Sequence, residues 1–214
     1  MEKRISREEL LAMDRFTRAA LVNSVPGFKS VVLVGTANAA GVNNLAVFNS
    51  VVHVGSNPPL IGLMFRPRTT DVGHTYQNAK SSGYFTINLL QFSFLDAAHQ
   101  ASSKYPEHVS EFEACGLQPM FSPNFYAPYV AESPVRIGLR WQEEHAIVAN
   151  GTSFVVGAVE EIFLPEECLG PDGFVNLADA GVLAGSGGDA YGPAGPFLRL
   201  PYAGTPLAKE GGWS

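Results

Sequence analysis

Apolar residues recur every three or four positions near the start of the chain, which is the spacing of an amphipathic helix. Ser6 precedes this run and Glu9 stands three residues later, as in a capping box. The apolar positions are Leu10, Leu11, Met13, Phe16, Ala20 and Leu21. The pattern predicts one N-terminal helix over about 7–23, which ends before the Pro-Gly-Phe sequence at 26–28.

Downstream of this helix, apolar and β-branched residues form short runs separated by turn residues, a pattern typical of an antiparallel sheet. Single strands are predicted over 29–38, within 41–60, over 59–65 and over 84–90, and two long strands over 135–164. We expect Asn150-Gly151 to join the two long strands through a type I′ turn. The polar sequence at 69–83 predicts a short helix.

Two later segments do not follow this strand pattern. Residues 92–130 mix short helical sequences with Pro and aromatic residues, which indicates an excursion laid over the sheet. The tail from 165 onward has scattered Gly and Pro, and we expect it to wrap the surface or to reach a partner subunit. Its GSGGDA sequence at 185–190 spells G-x-G-x-x-A, but no helix can follow in YGPAGPF, so we interpret it as a loop.

These elements predict a mainly β fold with peripheral helices (α+β), a small antiparallel β-barrel. A chain of 214 residues fits one domain better than two. We expect the N-terminal helix at about 7–23, the barrel core at about 25–165 and a C-terminal extension at about 166–214.

Composition and charge narrow the function classes. The net charge is −6, so no basic excess can replace counterions, and general binding to nucleic acid or acidic membranes is not expected. The charged N-terminus lacks the apolar core of a signal peptide, and no run of 18 apolar residues occurs, so we expect a cytoplasmic protein without a membrane span. Cys115 and Cys168 form no CxxC motif and are interpreted as reduced, mostly buried thiols.

The strongest cluster of candidate chemistry is the sequence FRPRTTDVGHTYQN at 65–78. It places Arg66, Arg68, Thr69 and Thr70 after a predicted strand and just before a helix start, where free N–H groups attract anions. Arginine offers a planar fork for phosphate, and threonine offers a hydroxyl donor. The cluster predicts a phosphate site, and the alternative is an ordinary capped helix with solvated arginines.

The histidines and paired acids give weaker signals. No spacing among them suits a metal, and we expect no metal site. His53 is interpreted as a core or interface histidine, whereas His74, near a helix start, could face an anion. Glu143-Glu144 and Glu160-Glu161 are adjacent in strands, so their side chains point to opposite faces and are expected at solvated strand edges.

The 41–60 segment is unusual because it carries asparagines among valines, although Asn is a poor strand former. With three other segments, HTYQNAKSSGYFTINLL, SEFEACGL and VGAVEEIFL, it resembles the flavin reductase-like, FMN-binding split-barrel family. The matching positions are Asn44-Leu45-Ala46…Ser50, Pro58-Pro59, His74-Thr75…Asn78 and Gly83-Tyr84-Phe85. The resemblance covers about residues 25–165.

The resemblance implies a split β-barrel homodimer that holds FMN at or near the subunit interface, with NADH or NADPH as a small-molecule electron donor. The expected contacts to the flavin ring and ribityl chain are Asn44, Ala46, Asn49, Ser50 and Val51. The expected phosphate contacts are Arg66, Arg68, Thr70, His74 and Thr75. Aromatic candidates for ring stacking are Phe48, Tyr126 and Trp141.

Two departures from the family pattern leave the reaction open. Gly73-His74 stands where many relatives have Lys, so an arginine of the 65–78 cluster, or in part His74, must supply the phosphate's cation. The tail keeps Gly-x-x-Tyr at 188–191 without a nearby Arg, which puts the electron donor and acceptor in doubt. The leading hypothesis is an FMN flavoprotein, either an NAD(P)H-linked flavin reductase or an electron-transfer oxidoreductase. The alternatives are a flavin, haem or other ligand binder without turnover, and a pyridoxine-phosphate-oxidase-like enzyme.

Overall fold

The computed structural model describes residues 1–66 and 73–200. Its helices are α1 Arg7–Ala12, α2 Arg15–Ser24, α3 His74–Ser82, α4 Leu95–Gln100 and α5 Glu111–Cys115, with 3₁₀ turns at Phe92–Phe94 and Glu166–Cys168. Its strands are β1 Lys29–Ser30, β2 Val32–Ala37, β3 Asn43–Phe48, β4 Val51–Ser56, β5 Pro59–Phe65, β6 Tyr84–Leu89, β7 Pro119–Met120, β8 Tyr129–Val130, β9 Arg136–Ile147, β10 Thr152–Phe163, β11 Leu183–Ser186 and β12 Ala190–Pro193.

Seven strands form the main sheet, in the order β3-β2-β6-β9-β10-β5-β4. All of its neighbouring pairs are antiparallel. The edge strands β3 and β4 are joined in the chain by only Asn49 and Ser50, so the sheet must curl until its two edges meet. The two edges do not pair with each other within the described strands, and the barrel therefore stays split. The predicted antiparallel barrel with peripheral helices is confirmed.

The sheet separates two apolar layers. The inner layer fills the barrel and is built from alternating side chains such as Val32, Val34, Ile87 and Leu139. The outer layer covers one face of β2 and β3, and the helices α4 and α5 and strand β11 contribute to it. The small β1-β11-β12 sheet and the β7-β8 pair complete the cover.

The N-terminal helix differs from its prediction. It is two helices, because Asp14 caps a second one with Oδ1 accepting from the N–H groups of Phe16 and Thr17 at 2.9 and 3.1 Å. The capping box of Ser6 and Glu9 is present at the first helix, as predicted. Neither helix has a buried residue, so local capping rather than packing determines where they begin.

The predicted strand within 41–60 is also two strands, which break at Asn49-Ser50 as the chain passes from one sheet edge to the other. The type I′ prediction for Asn150-Gly151 is wrong. Ile147 pairs with Thr152 across a four-residue loop, and the N–H of Gly151, at φ 71°, donates to the Ile147 carbonyl at 2.9 Å. Register set by the long strands outweighs the local turn preference.

Two smaller expectations need correction. The sequence at 185–190 is a β-hairpin rather than a loop, since Ser186 pairs with Ala190, and the absence of a following helix agrees with our rejection of a dinucleotide site. His53 is exposed, so it is not a core histidine, and its expected role as an interface histidine stays a prediction. Of the cysteines, Cys168 is buried and Cys115 partly so. Within residues 1–66 and 73–200, no helix is long and apolar enough to cross a membrane.

Candidate functional site

Asn44 lies at the centre of a buried polar cluster that joins three elements. Its side-chain amide on β3 donates to the Thr36 hydroxyl of β2 at 3.2 Å and to the Thr75 hydroxyl of α3 at 2.9 Å. Asn78, one turn along α3, also donates to the Thr36 hydroxyl, at 3.4 Å. All four side chains are buried. The expected contacts Asn44 and Thr75 are therefore neighbours, and the start of α3 is attached to β3.

Asn49 and Ser50 form the link between the two sheet edges, and each has a distant partner. The Ser50 hydroxyl accepts from the Met64 N–H and donates to the Met64 carbonyl, both at 3.2 Å, so it fixes the start of β4 against β5. The Asn49 amide donates to the carbonyl of Gly187 at 3.3 Å, in the turn between β11 and β12. The C-terminal hairpin therefore reaches the split.

Aromatic side chains line the barrel interior next to this link. Phe48 contacts Phe65 edge-on at a centroid distance of 5.0 Å, and Phe65 lies 6.4 Å from Trp141. Val51 packs against the same interior layer. Two stacking candidates, Phe48 and Trp141, thus belong to one cluster. Tyr126 is exposed and its hydroxyl donates to the Asn38 carbonyl at 2.9 Å, outside this cluster.

The predicted phosphate segment is described only in part. Arg66 directly follows β5 and is exposed, and His74 is the first residue of α3 and partly buried. The N-cap residue of α3 is Gly73, which has no side chain to cap the helix, and the first-turn N–H groups of a helix attract anions. The predictions for Arg68 and Thr70 lie outside the described residues.

A second hydrogen-bond network connects α3 to the long hairpin formed by β9 and β10. The Tyr76 hydroxyl donates to Glu144 Oε2 at 2.8 Å, and Lys80 Nζ contacts the same oxygen at 2.9 Å. Hydrogen bonds from the Ser153 hydroxyl first, and then from Lys80 and Tyr76, lower the pKa of Glu144 to about 2. Glu144 was expected at a solvated strand edge, and that expectation is wrong.

The second acidic pair, Glu160-Glu161, also has one member that contacts the protein interior and one that is solvated. Glu161 Oε1 accepts from the buried Tyr129 hydroxyl at 2.6 Å, so it too has an internal partner. Glu160 and Glu143 are the solvated members of the two pairs, with Arg140 at 2.6 Å from Glu160. Among the described residues, no three His, Cys, Asp or Glu side chains come together to hold a metal ion.

Sequence reasoning assigned no role to Glu111, the first residue of α5. The residue is 6% exposed, and its Oε2 accepts from the backbone N–H of Leu45 in β3 at 3.0 Å. Burial raises the pKa of Glu111, while this hydrogen bond acts in the opposite direction. The SEFEACGL sequence marked the segment but not this contact, because the two residues lie 66 positions apart.

The chain is similar to flavin reductases in sequence and in fold, and to flavoredoxins in fold. Residues 25–178 match the model of the flavin reductase like domain. A split-barrel protein from Shewanella frigidimarina assigned to the flavin reductases is 38% identical, with a TM-score of 0.90 over 94% of this chain and 100% of that one. Nitrilotriacetate monooxygenase component B from Bacillus cereus is 20% identical, with a TM-score of 0.80 over 94% and 99%. Flavoredoxin of Desulfovibrio vulgaris is 23% identical, with a TM-score of 0.70 over 83% and 92%.

The fold and the matched segment define a split-barrel flavoprotein. The chain belongs to the flavin reductase-like family, as its motifs indicated, and it is a flavin-linked oxidoreductase.

Proposed function

We propose that the chain binds FMN where the split between β3 and β4 meets the start of α3, and that it transfers electrons from NADH or NADPH through this flavin. The observation that carries the proposal is the hydrogen bond from the Asn44 side-chain amide to the Thr75 hydroxyl at 2.9 Å. It brings the expected ring-binding strand beside the expected phosphate-binding helix in a chain of this family.

The residues present fit a flavin mononucleotide. The first-turn N–H groups of α3, with His74 and Thr75, suit a phosphate. Arg66 supplies a positive charge close by in the chain. Ala46, Asn49, Ser50 and Val51 would border the ring and the ribityl chain. Arg68 and Thr70 stay predicted phosphate contacts.

In this proposal the residues of the chain bind and orient the flavin, and none of them takes part in a covalent step. Asn44 and Ser50 hold the two strands at the split in fixed positions through the Thr75 and Met64 contacts. Phe48 and Val51 keep water from the interior side. A bound flavin supplies the two-electron chemistry itself.

Two electron acceptors are compatible with this site. One is free flavin, which the match to the flavin reductase like domain suggests, and the other is a downstream acceptor that takes electrons from a flavin that stays bound. The likenesses to the monooxygenase component and to flavoredoxin, at 20% and 23% identity, reflect the shared fold alone and favour neither acceptor.

We further propose a homodimer with the flavin at or near the subunit interface. Strand β4 is an edge strand of the main sheet, and its Val52 and Val54 are 48% and 41% exposed. An exposed apolar edge strand favours pairing with another chain. Because Asn49 and Ser50 directly precede β4, a partner on this edge would lie beside the flavin site.

The test is titration of the purified protein with FMN and, separately, FAD, followed by thermal unfolding and light scattering. We expect FMN to raise Tm, with FAD weaker, and a mass of twice the 22.9 kDa chain. A colourless protein whose Tm neither flavin changes would contradict the proposal. A monomer that binds FMN would contradict only the dimer.

A further inference from the structure

Glu111 satisfies a backbone group that the sheet leaves without a partner. Strand β3 is an edge of the main sheet, and among the described strands it pairs with β2 alone. In an antiparallel ladder, alternate residues turn their N–H groups away from the neighbouring strand. Leu45 is such a residue, and its side chain is fully buried. The Glu111 carboxylate accepts this outward N–H at 3.0 Å.

The choice of a carboxylate at this position is costly. A buried charge is unfavourable unless it is paired or well hydrogen-bonded, and Glu111 forms no ion pair within residues 1–66 and 73–200. It is compensated by the N–H of Leu45, by its own backbone N–H and by the electrostatic attraction of His74 at the start of α3. Hydrogen bonds to a charged acceptor are roughly twice as strong as neutral ones. A carboxylate at this position therefore holds the Leu45 N–H of β3 more strongly than a neutral acceptor would, against the cost of its burial.

The fixed point lies between two expected flavin contacts. Asn44 and Ala46 flank Leu45, and both point to the opposite face of β3 from the Leu45 side chain. That side chain packs with Phe112 of α5 in the outer apolar layer. Helix α5 thus holds β3 from the outside through the shared apolar layer and one hydrogen bond to a carboxyl group. This fixes the direction in which residues 44 and 46 project.

We propose that Glu111 is a positioning residue for the flavin, which holds β3 at Leu45 so that Asn44 and Ala46 face the bound ring. The inference rests on the proposed flavin site and adds to it a residue that makes no contact with the flavin itself. A carboxamide in the same place can still accept the Leu45 N–H, whereas an apolar side chain cannot.

The experiment compares three variants with the wild type by FMN titration and by the absorbance spectrum of the bound flavin. E111Q keeps an acceptor, and E111L removes it with similar bulk. E161L is the matched control. It removes a carboxylate of β10 that accepts from the Tyr129 hydroxyl of β8, and β10 is separated from β3 in the sheet by β2, β6 and β9. Amide hydrogen exchange at Leu45, measured without flavin, follows the hydrogen bond directly.

We expect E111L to weaken FMN binding about tenfold or more, to shift the visible bands of the bound flavin, and to speed exchange at Leu45. E111Q should recover binding to within about threefold of the wild type, and E161L should leave affinity and spectrum unchanged even where it lowers Tm. If E111L does not fold, E111D carries the test, because its shorter side chain does not reach Leu45 and should act like E111L.

Three results would overturn the inference. One is an E111L variant, without the hydrogen bond to the Leu45 N–H, whose FMN affinity and flavin spectrum equal those of the wild type. Another is a loss in E161L equal to that in E111L, which would reduce Glu111 to general stability. The third is a wild type that binds no flavin, which would overturn the proposed function as well and is distinguished by the wild-type titration alone.

Discussion

Asn44 is held from two sides, which explains why an amide stands in a strand. An asparagine costs strand propensity, but its amide here has two buried hydroxyl acceptors, Thr36 and Thr75. Sequence reasoning could single out Asn44, because an amide among valines is conspicuous. It could not supply the Thr75 partner, which lies 31 residues away and meets Asn44 only after α3 has packed on the sheet.

We expect N44A and S50A each to weaken FMN binding about tenfold. N44A loses two hydrogen bonds that join β3 to β2 and α3, and S50A loses two that join the start of β4 to β5. H53A should change the affinity less than about twofold, since the His53 side chain forms none of the hydrogen bonds that hold β3 to α3 or β4 to β5. Flavin fluorescence during titration measures all three. A larger loss in H53A than in N44A or S50A would mean that the flavin lies elsewhere.

At the scale of elements, α3 and the long hairpin act as one unit. Tyr76 and Lys80 project from successive turns of α3 onto the same Glu144 carboxylate of β9. The sequence predicted the helix and both strands, because each has a local pattern. It placed Glu144 at a solvated edge, because alternation along a strand says which face a residue takes but not what covers that face.

We expect E144Q to lower the free energy of unfolding by about 1 kcal/mol at pH 7, since it removes a charged acceptor shared by several donors. The pKa of Glu144 is lowered from 4.5 to about 2, so its contribution is fully present above pH 4.5 and is lost as pH falls towards 2. Denaturant unfolding between pH 2 and 7 should show the two proteins converging at the acid end.

The control is E160Q, whose partner Arg140 is half exposed, and it should cost less than about 0.5 kcal/mol at any of these pH values. A difference between E144Q and the wild type that stays constant down to pH 2 would contradict the role of the Glu144 charge.

At the scale of the whole molecule, the split follows from connectivity. Two residues join strands at opposite edges of a seven-stranded sheet, so the edges must approach each other. Periodicity predicted the strands, and the family motifs implied the split. The order of the strands could not be predicted from local patterns, because pairings such as β10 with β5 join residues about ninety positions apart. For the same reason the hairpin at Gly187 was not expected beside Asn49.

The central claim is that this barrel binds FMN and passes electrons from a nicotinamide through it. The most direct measurement is the visible absorbance of the FMN-loaded protein under anaerobic conditions, before and after NADH or NADPH is added. We expect the oxidised flavin bands to bleach with at least one donor and to return when air is admitted. Bands that persist unchanged with both donors would contradict it, and would make the chain a flavin binder without NAD(P)H-linked turnover.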